Sequence, residues 1–196
     1  MGLRDRALLL VAYDSGCRRS ELIAIQCAEI LGPSPDGSGL LLIAASKTDQ
    51  QGKGAYAYLS PAAMLAIDAW REAAGVGEGA LFRRVRTYFD GSVRSVEGEG
   101  LHPNSVTLIY RRLLRAAHAK KLLGDMSEQE LDLWVKAVSS HSMRVGVAQD
   151  SLAASEGLPA IMQAYRWRDP KMVMRYGAKL AAKSGASARL AKRFQV

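Results

Sequence analysis

Cysteine is almost missing from this chain of 196 residues: Cys17 and Cys27 are the only two. Two thiols cannot make the disulfide framework of a small secreted scaffold. Histidine is equally sparse, with three residues. No Cys/His group has zinc-ligand spacing, so neither a structural metal nor any other cofactor is expected. Long apolar runs are lacking too. Nothing approaches eighteen consecutive apolar residues, which argues against a membrane-spanning helix. The opening Met1-Gly2-Leu3-Arg4-Asp5-Arg6 does not have the charged, apolar and small-residue order of a signal peptide. Arg6 also breaks a myristoylation pattern. The expected location is the cytoplasm. Low-complexity tracts, internal repeats and a Gly/Pro-rich linker are absent as well, so a single domain is expected, with enough chain for a real hydrophobic core.

Acidic residues are in deficit. Nineteen Asp and Glu face 27 Lys and Arg, giving a formal net charge of +8. The isoelectric point is about 9.7. Such a balance suits a polyanionic partner, although a solvated basic surface has the same composition.

Local patterns predict a mostly helical chain. Leu3 to Tyr13 reads as a buried helix that stops near Ser15-Gly16. A short helix starts around Arg18 to Glu21 and reaches about Gln26. The Gly/Pro/Ser segment 32–39 is a turn. Leu40–Ala45 and Ala55–Leu59 read as strands joined by a polar hairpin tip, Lys47 to Gly54. Ser60-Pro61 is an N-cap followed by proline at the first helical position, opening a helix to about Ala74. Gly91 to Gly100 reads as a loop.

Val106, Ile109, Tyr110, Leu113, Leu114 and Ala117 recur at helical spacing, with Arg111, Arg112 and Arg115 on the other side. Those arginines fit either a solvated helix face or phosphate contacts beside a DNA groove. Ser127 and Glu130 form a capping box for a helix through about Ala137. Further helices are expected over Ser142–Ser155, Pro159–Tyr165 and Pro170–Leu180, the last capped by Asp169. The fold class that follows is α+β, predominantly helical, with one small antiparallel sheet.

Two segments stand out chemically: Gly16-Cys17-Arg18-Arg19-Ser20-Glu21-Leu22 and Ser140-His141-Ser142-Met143-Arg144-Val145-Gly146. His141 and Arg144 are three apart at a helix start and share a face. A helix N-terminus beside His and Arg is a good anion site. Taken alone, the pair fits a surface or capping arrangement as well.

The full order is Arg18, Lys47, His141-x-x-Arg144, Trp167, Tyr176. In that order it resembles the tyrosine site-specific recombinase (phage integrase) family, with its nearest likeness to the Cre-type members. The stretches Leu81–Arg86, His141–Asp150 and Ile161–Ala164 leading to Trp167 carry the same likeness, over nearly the whole chain from Leu3 to about Lys192. The resemblance implies the family's catalytic domain over residues 1–196. It also implies metal-free strand exchange on double-stranded DNA.

In that reading Tyr176 attacks a DNA phosphate and leaves a 3′-phosphotyrosine and a free 5′-hydroxyl. Arg18 and Arg144 match the two arginines that clamp the phosphate, a task suited to a planar, permanently charged fork. His141 matches the residue that accepts the phenol proton or positions the phosphate. Lys47 matches the general acid for the leaving 5′-oxygen, with Lys53 as a competitor on the same hairpin. Trp167 matches an indole N–H donor to the phosphate. Glu21 matches an acid that supports the active-site His or Arg.

The resemblance further implies a tetramer on DNA. Its terminal helix, here Ala186, Leu190, Ala191 and Phe194, would dock into a neighbouring subunit; packing on its own domain is the simpler reading of so short a stripe. The family's N-terminal core-binding domain has no counterpart before Leu3. Tyr165-Arg166 stands before Trp167 where relatives usually carry Gly, and Arg19 stands where an apolar residue is common. Two other functions share these residues: topoisomerase-like relaxation by a monomer, and a non-catalytic DNA-binding remnant.

Overall fold

The computed structural model describes residues 2–44, 54–184 and 190–191. The first helix, α1 (Gly2–Ser15), is the spine of the core. Ala7, Leu8, Val11 and Ala12 are at most 1% exposed. Small residues let α3 (Pro61–Ala74) pack closely along α1, where Ala63 and Ile67 are fully buried. The predicted start of α3 is present: Ser60 Oγ accepts from the Ala63 amide at 3.3 Å, with Pro61 at the first turn. Gly75, at φ 62°, ends the helix in the left-handed region.

A charged group is also buried here. Asp5 takes two bonds from the Arg4 guanidinium, at 3.0 and 2.7 Å, and an ion pair from Arg112. Arg112 lies on α4 (Pro103–Ala119), so this pair fastens α4 to α1.

Between α1 and α3 the chain forms a short helix α2 (Arg19–Ala24) and three strands. These are β1 (Ile30–Leu31), β2 (Gly39–Ile43) and β3 (Ala55–Leu59), antiparallel in the order β1-β2-β3. Leu41 pairs with Ala57, and Gly39 with Leu59. Alternation sends Leu41, Ile43, Ala57 and Leu59 to the core and leaves Leu40, Tyr56 and Tyr58 outside. Each fully buried Leu contributes about 1.5–3 kcal/mol of transfer free energy. The hairpin tip carrying Lys47 and Lys53 lies outside the described residues.

The segment 91–100 corrects the sequence reading. It is a strand, β5 (Val93–Gly100), paired antiparallel with β4 (Arg83–Thr87). The molecule therefore has a second, two-stranded sheet. Glycine, serine and glutamate weaken intrinsic strand preference, but pairing to a neighbour overrides it. Arg86 and Glu97 meet across this ribbon at 2.8 Å.

The C-terminal helices are α5 (Glu128–Ala137), α6 (Ser142–Ala153), α7 (Leu158–Ala164) and α8 (Pro170–Ser184). Ser127 and Glu130 cap α5 reciprocally, as their spacing predicts. Ala148 of α6, Ile161 of α7 and Val173 of α8 form a second small core, with Leu152, Tyr165 and Trp167 against it. Gly177 lets α8 lie close to α6, since a Cβ there would overlap Leu152. Tyr13 Oη donates to Asp150 at 2.7 Å and joins this layer to α1. No helix among the described residues is long and apolar enough to cross a membrane.

Candidate active site

The site lies where the α6–α8 layer meets the turn between α1 and α2. Gly16 makes that turn at φ 55°, and its missing side chain leaves room for the Tyr165 ring. A Cβ there would sit 2.9 Å from Tyr165 Cδ1. Gly16→Ala therefore meets both a backbone cost of ~1–2 kcal/mol and a steric overlap. We expect a clear fall in melting temperature, checked by thermal unfolding; an unchanged midpoint would contradict the close approach.

Arg18 follows this turn and precedes α2. Its main-chain N–H donates to Glu21 Oε2 at 2.9 Å, and its guanidinium donates to Glu21 Oε1 at 2.6 Å. Glu21 is buried. Burial alone would raise its pKa. The hydrogen bonds from Arg18 and the charge of Arg166 outweigh that and hold it below the ordinary carboxylate range. It is thus an anion at neutral pH, aiming Arg18.

Arg144 arrives from the first turn of α6 and is 1% exposed. One nitrogen donates to the Gly16 carbonyl, another to the Arg166 carbonyl at 3.4 Å. Its guanidinium stacks 4.1 Å from the centre of the Trp167 ring, a cation–π contact. Burial, then the charges of Arg18 and Arg166, lowers its pKa to about 10, so it stays charged at pH 7. Although 126 positions separate the two arginines (144 − 18), Arg144 bonds to the carbonyl of Gly16, two residues before Arg18.

His141, Trp167 and Tyr176 form an aromatic cluster over this charge. Ring centres are 6.3 Å apart for His141–Trp167, 6.2 Å for His141–Tyr176 and 5.6 Å for Trp167–Tyr176. Tyr176 Oη lies 3.4 Å from His141 Nε2. Partial burial of its ring against Trp167 and Tyr176, then the charges of Arg144 and Arg18, hold His141 below its ordinary pKa. It is therefore neutral at pH 7, and Nε2 can accept the phenol proton. The Tyr176 carbonyl accepts from Gln149 at 3.1 Å, fixing α8 against α6. Trp167 Nε1 is buried and has no hydrogen-bond partner among the described residues. An orphan donor is costly unless something satisfies it.

The structure thus brings together Arg18, Glu21, His141, Arg144, Trp167 and Tyr176. Lys47 falls outside the described residues. The three arginines of α4 are dispersed in role: Arg112 pairs with Asp5, Arg111 donates to the Lys136 carbonyl at 3.4 Å, and Arg115 is exposed. Sequence reasoning passed over Arg166 as a participant. Its unusual place at a helix end before Trp167 was the available signal.

Comparison with known proteins decides the family. The phage integrase family model matches residues 1–183. The chain belongs to the phage integrase family. It is 30% identical over 192 residues to recombinase Cre of Escherichia phage P1, covering 96% of this chain and 53% of that protein. It is 31% identical over 181 residues to an integrase/recombinase XerD homologue of Selenomonas ruminantium, covering 89% of this chain and 47% of the relative. This integrase-family chain thus spans about half the length of both relatives.

The fold agrees. A crystal structure of the XerH site-specific recombinase bound to its palindromic difH substrate, in a post-cleavage complex, superposes with a TM-score of 0.63 at 17% identity, covering 94% of this chain and 45% of that one. The XerA recombinase gives 0.60 at 13% identity, covering 92% and 58%.

Proposed function

We propose that this chain is the strand-cleaving and rejoining domain of a site-specific DNA recombinase. The observation that carries the reading is the placement of Tyr176 Oη, 3.4 Å from a neutral-leaning His141 Nε2 and beside the Arg144–Trp167 stack. A nucleophile, a base and a buried cation converge there, with an indole N–H that has no partner among the described residues.

Chemically, the phenol oxygen attacks the DNA phosphorus while its proton passes to His141 Nε2. The bond from phosphorus to the 5′-oxygen breaks. The departing oxygen takes a proton, for which Lys47 is the assigned donor from the sequence. Negative charge on the non-bridging oxygens is met by Arg18, and by Arg144 and the Trp167 N–H once the phosphate displaces the packing that covers them. Attack by another 5′-hydroxyl, whose proton goes to the Lys47 amine, reverses the step, and His141 returns its proton to the phenol oxygen. The phosphodiester energy stays in the phosphotyrosyl bond, so no nucleotide cofactor is required.

The partner in this reading is double-stranded DNA, in keeping with the net charge of +8. Arg115, exposed on α4, is the member of its trio offered to phosphates. Self-association into a tetramer through the C-terminal segment belongs to the same proposal. Ala186 and Phe194 lie outside the described residues, while Leu190 is 54% exposed. A cytoplasmic location completes the reading.

The direct test is a duplex nicked near the scissile phosphate, which loses a short 5′ fragment on cleavage and traps the covalent product. A slow protein–DNA band after denaturing electrophoresis is expected. DNA binding without any such band would support a binding remnant instead. The pH dependence is a second test. The base form of His141 is the neutral one, so the adduct rate rises with pH through its pKa. Since burial and the two arginines hold that pKa low, the acid limb should lie below pH 6.5. His141→Gln should remove the limb. A limb centred above pH 7 in the wild type would assign it to another group.

A further inference from the structure

Arg166 occupies a backbone position that favours glycine. Helix α7 ends in a Schellman arrangement: the Trp167 amide donates to the Met162 carbonyl at 2.9 Å, and the Arg166 amide to Gln163 at 3.4 Å. In that motif the residue at position 166 must be left-handed, and Arg166 has φ 57°. A side chain other than Gly costs energy there.

The side chain it supplies is not idle. The Arg166 side chain is 13% exposed and runs back across the molecule to the first clamp segment. It donates to the Ser15 carbonyl at 3.2 Å and to Glu21 Oε2 at 3.3 Å, and lies 3.6 Å from Cys17 Sγ. Its own carbonyl accepts from Arg144. One residue therefore touches Arg144 directly and Arg18 through Glu21. The guanidinium restrains Glu21, which in turn holds the Arg18 amide and guanidinium, and the carbonyl holds Arg144. Arg166 also adjoins Trp167, whose ring covers Arg144.

We propose that Arg166 is a positioning residue that ties Arg18 to Arg144, setting the spacing of the two cations before a phosphate arrives. It does not touch the phosphate; it acts through Glu21 and through its own backbone. The inference rests on the strand-cleavage reading above. Preorganised cations need no reorganisation during the reaction, and a misplacement of about 1 Å can cost roughly a hundredfold in rate. The backbone cost at position 166 is offset by this alignment.

The test compares the full chain with Arg166→Gly and Arg166→Lys. Glycine suits the left-handed backbone and removes only the side-chain tie. Lysine keeps a charge within reach of Glu21 but loses the fork. Adduct formation is measured in single turnover on nicked duplexes, enriched from a randomised pool by adduct formation with the wild type. Hydrogen exchange at the Arg18 amide, bonded to Glu21, is measured without DNA.

For Arg166→Gly we expect an adduct rate lower by roughly a hundredfold. We also expect faster Arg18 exchange and a melting temperature within a few degrees of wild type. Arg166→Lys should recover part of the rate. Wild-type adduct rate in Arg166→Gly overturns the proposal, and so does a slowed rate with unchanged Arg18 exchange. If the wild type itself forms no adduct, the strand-cleavage reading fails instead. The exchange measurement then still decides whether Arg166 restrains Arg18.

Discussion

Tyr176→Phe should abolish the covalent protein–DNA product while leaving the protein folded and bound to DNA. The substitution removes one oxygen. The ring stays against Trp167, so the 5.6 Å aromatic packing survives. The hydroxyl's partner, His141 Nε2, lies at 3.4 Å on an exposed residue, so water can replace the bond. A stability change of no more than about 1 kcal/mol follows. The chemical effect has no such cushion. Without the phenol oxygen the phosphotyrosyl bond cannot form, so that adduct should fall below detection. Gel shift at constant salt, thermal unfolding and adduct trapping measure the three quantities separately. Loss of folding together with adduct would show that the hydroxyl also has a structural role.

Arg144→Lys should be nearly as severe, although charge is conserved. The Arg144 guanidinium makes three commitments at once: to the Gly16 carbonyl, to the Arg166 carbonyl and to the face of Trp167. A lysine ammonium is a point charge and cannot span both carbonyls while stacking on an indole. At least one buried carbonyl would lose its partner, at about 1–3 kcal/mol. The cation would also move relative to the phosphorus. Loss of one preorganised donor to transition-state charge costs roughly 10²–10³-fold. We therefore expect an adduct rate down by at least that factor, with binding to DNA changed far less. A lysine variant within threefold of wild type would mean that charge alone, not the planar fork, is what the site uses.

Much of the site was legible through the family resemblance carried by the order Arg18, His141, Arg144, Trp167 and Tyr176. Taken singly, these residue types also fit ordinary surface, capping and packing roles. Helix boundaries were legible where capping chemistry is local: Ser60 with Pro61, and Ser127 with Glu130, sit where expected. The ribbon β4–β5 was not, because its second strand is rich in Gly, Ser and Glu and gains its order from a partner strand.

The arrangement of His141 and Arg144 was half legible. Spacing put both at one helix start. Depth, however, depends on tertiary packing: Arg144 is sealed beneath Trp167, while His141 stays exposed ahead of the helix. Arg111 and Arg112 show the same limit. Their helical spacing marks a basic face, yet Arg112 turns to a buried aspartate 107 positions earlier (112 − 5), which no local pattern reveals. Arg166 is the sharpest case. Its place at a left-handed helix end reads as a mere oddity until the fold brings Glu21 alongside.

The most direct measurement is peptide mapping of the trapped adduct by mass spectrometry after nuclease digestion. A nucleotide should be found attached through phosphate to the peptide containing Tyr176, on its phenol oxygen. A nucleotide carried by any other residue, with Tyr176 unmodified, would contradict the assignment of this cluster as the point where DNA is opened.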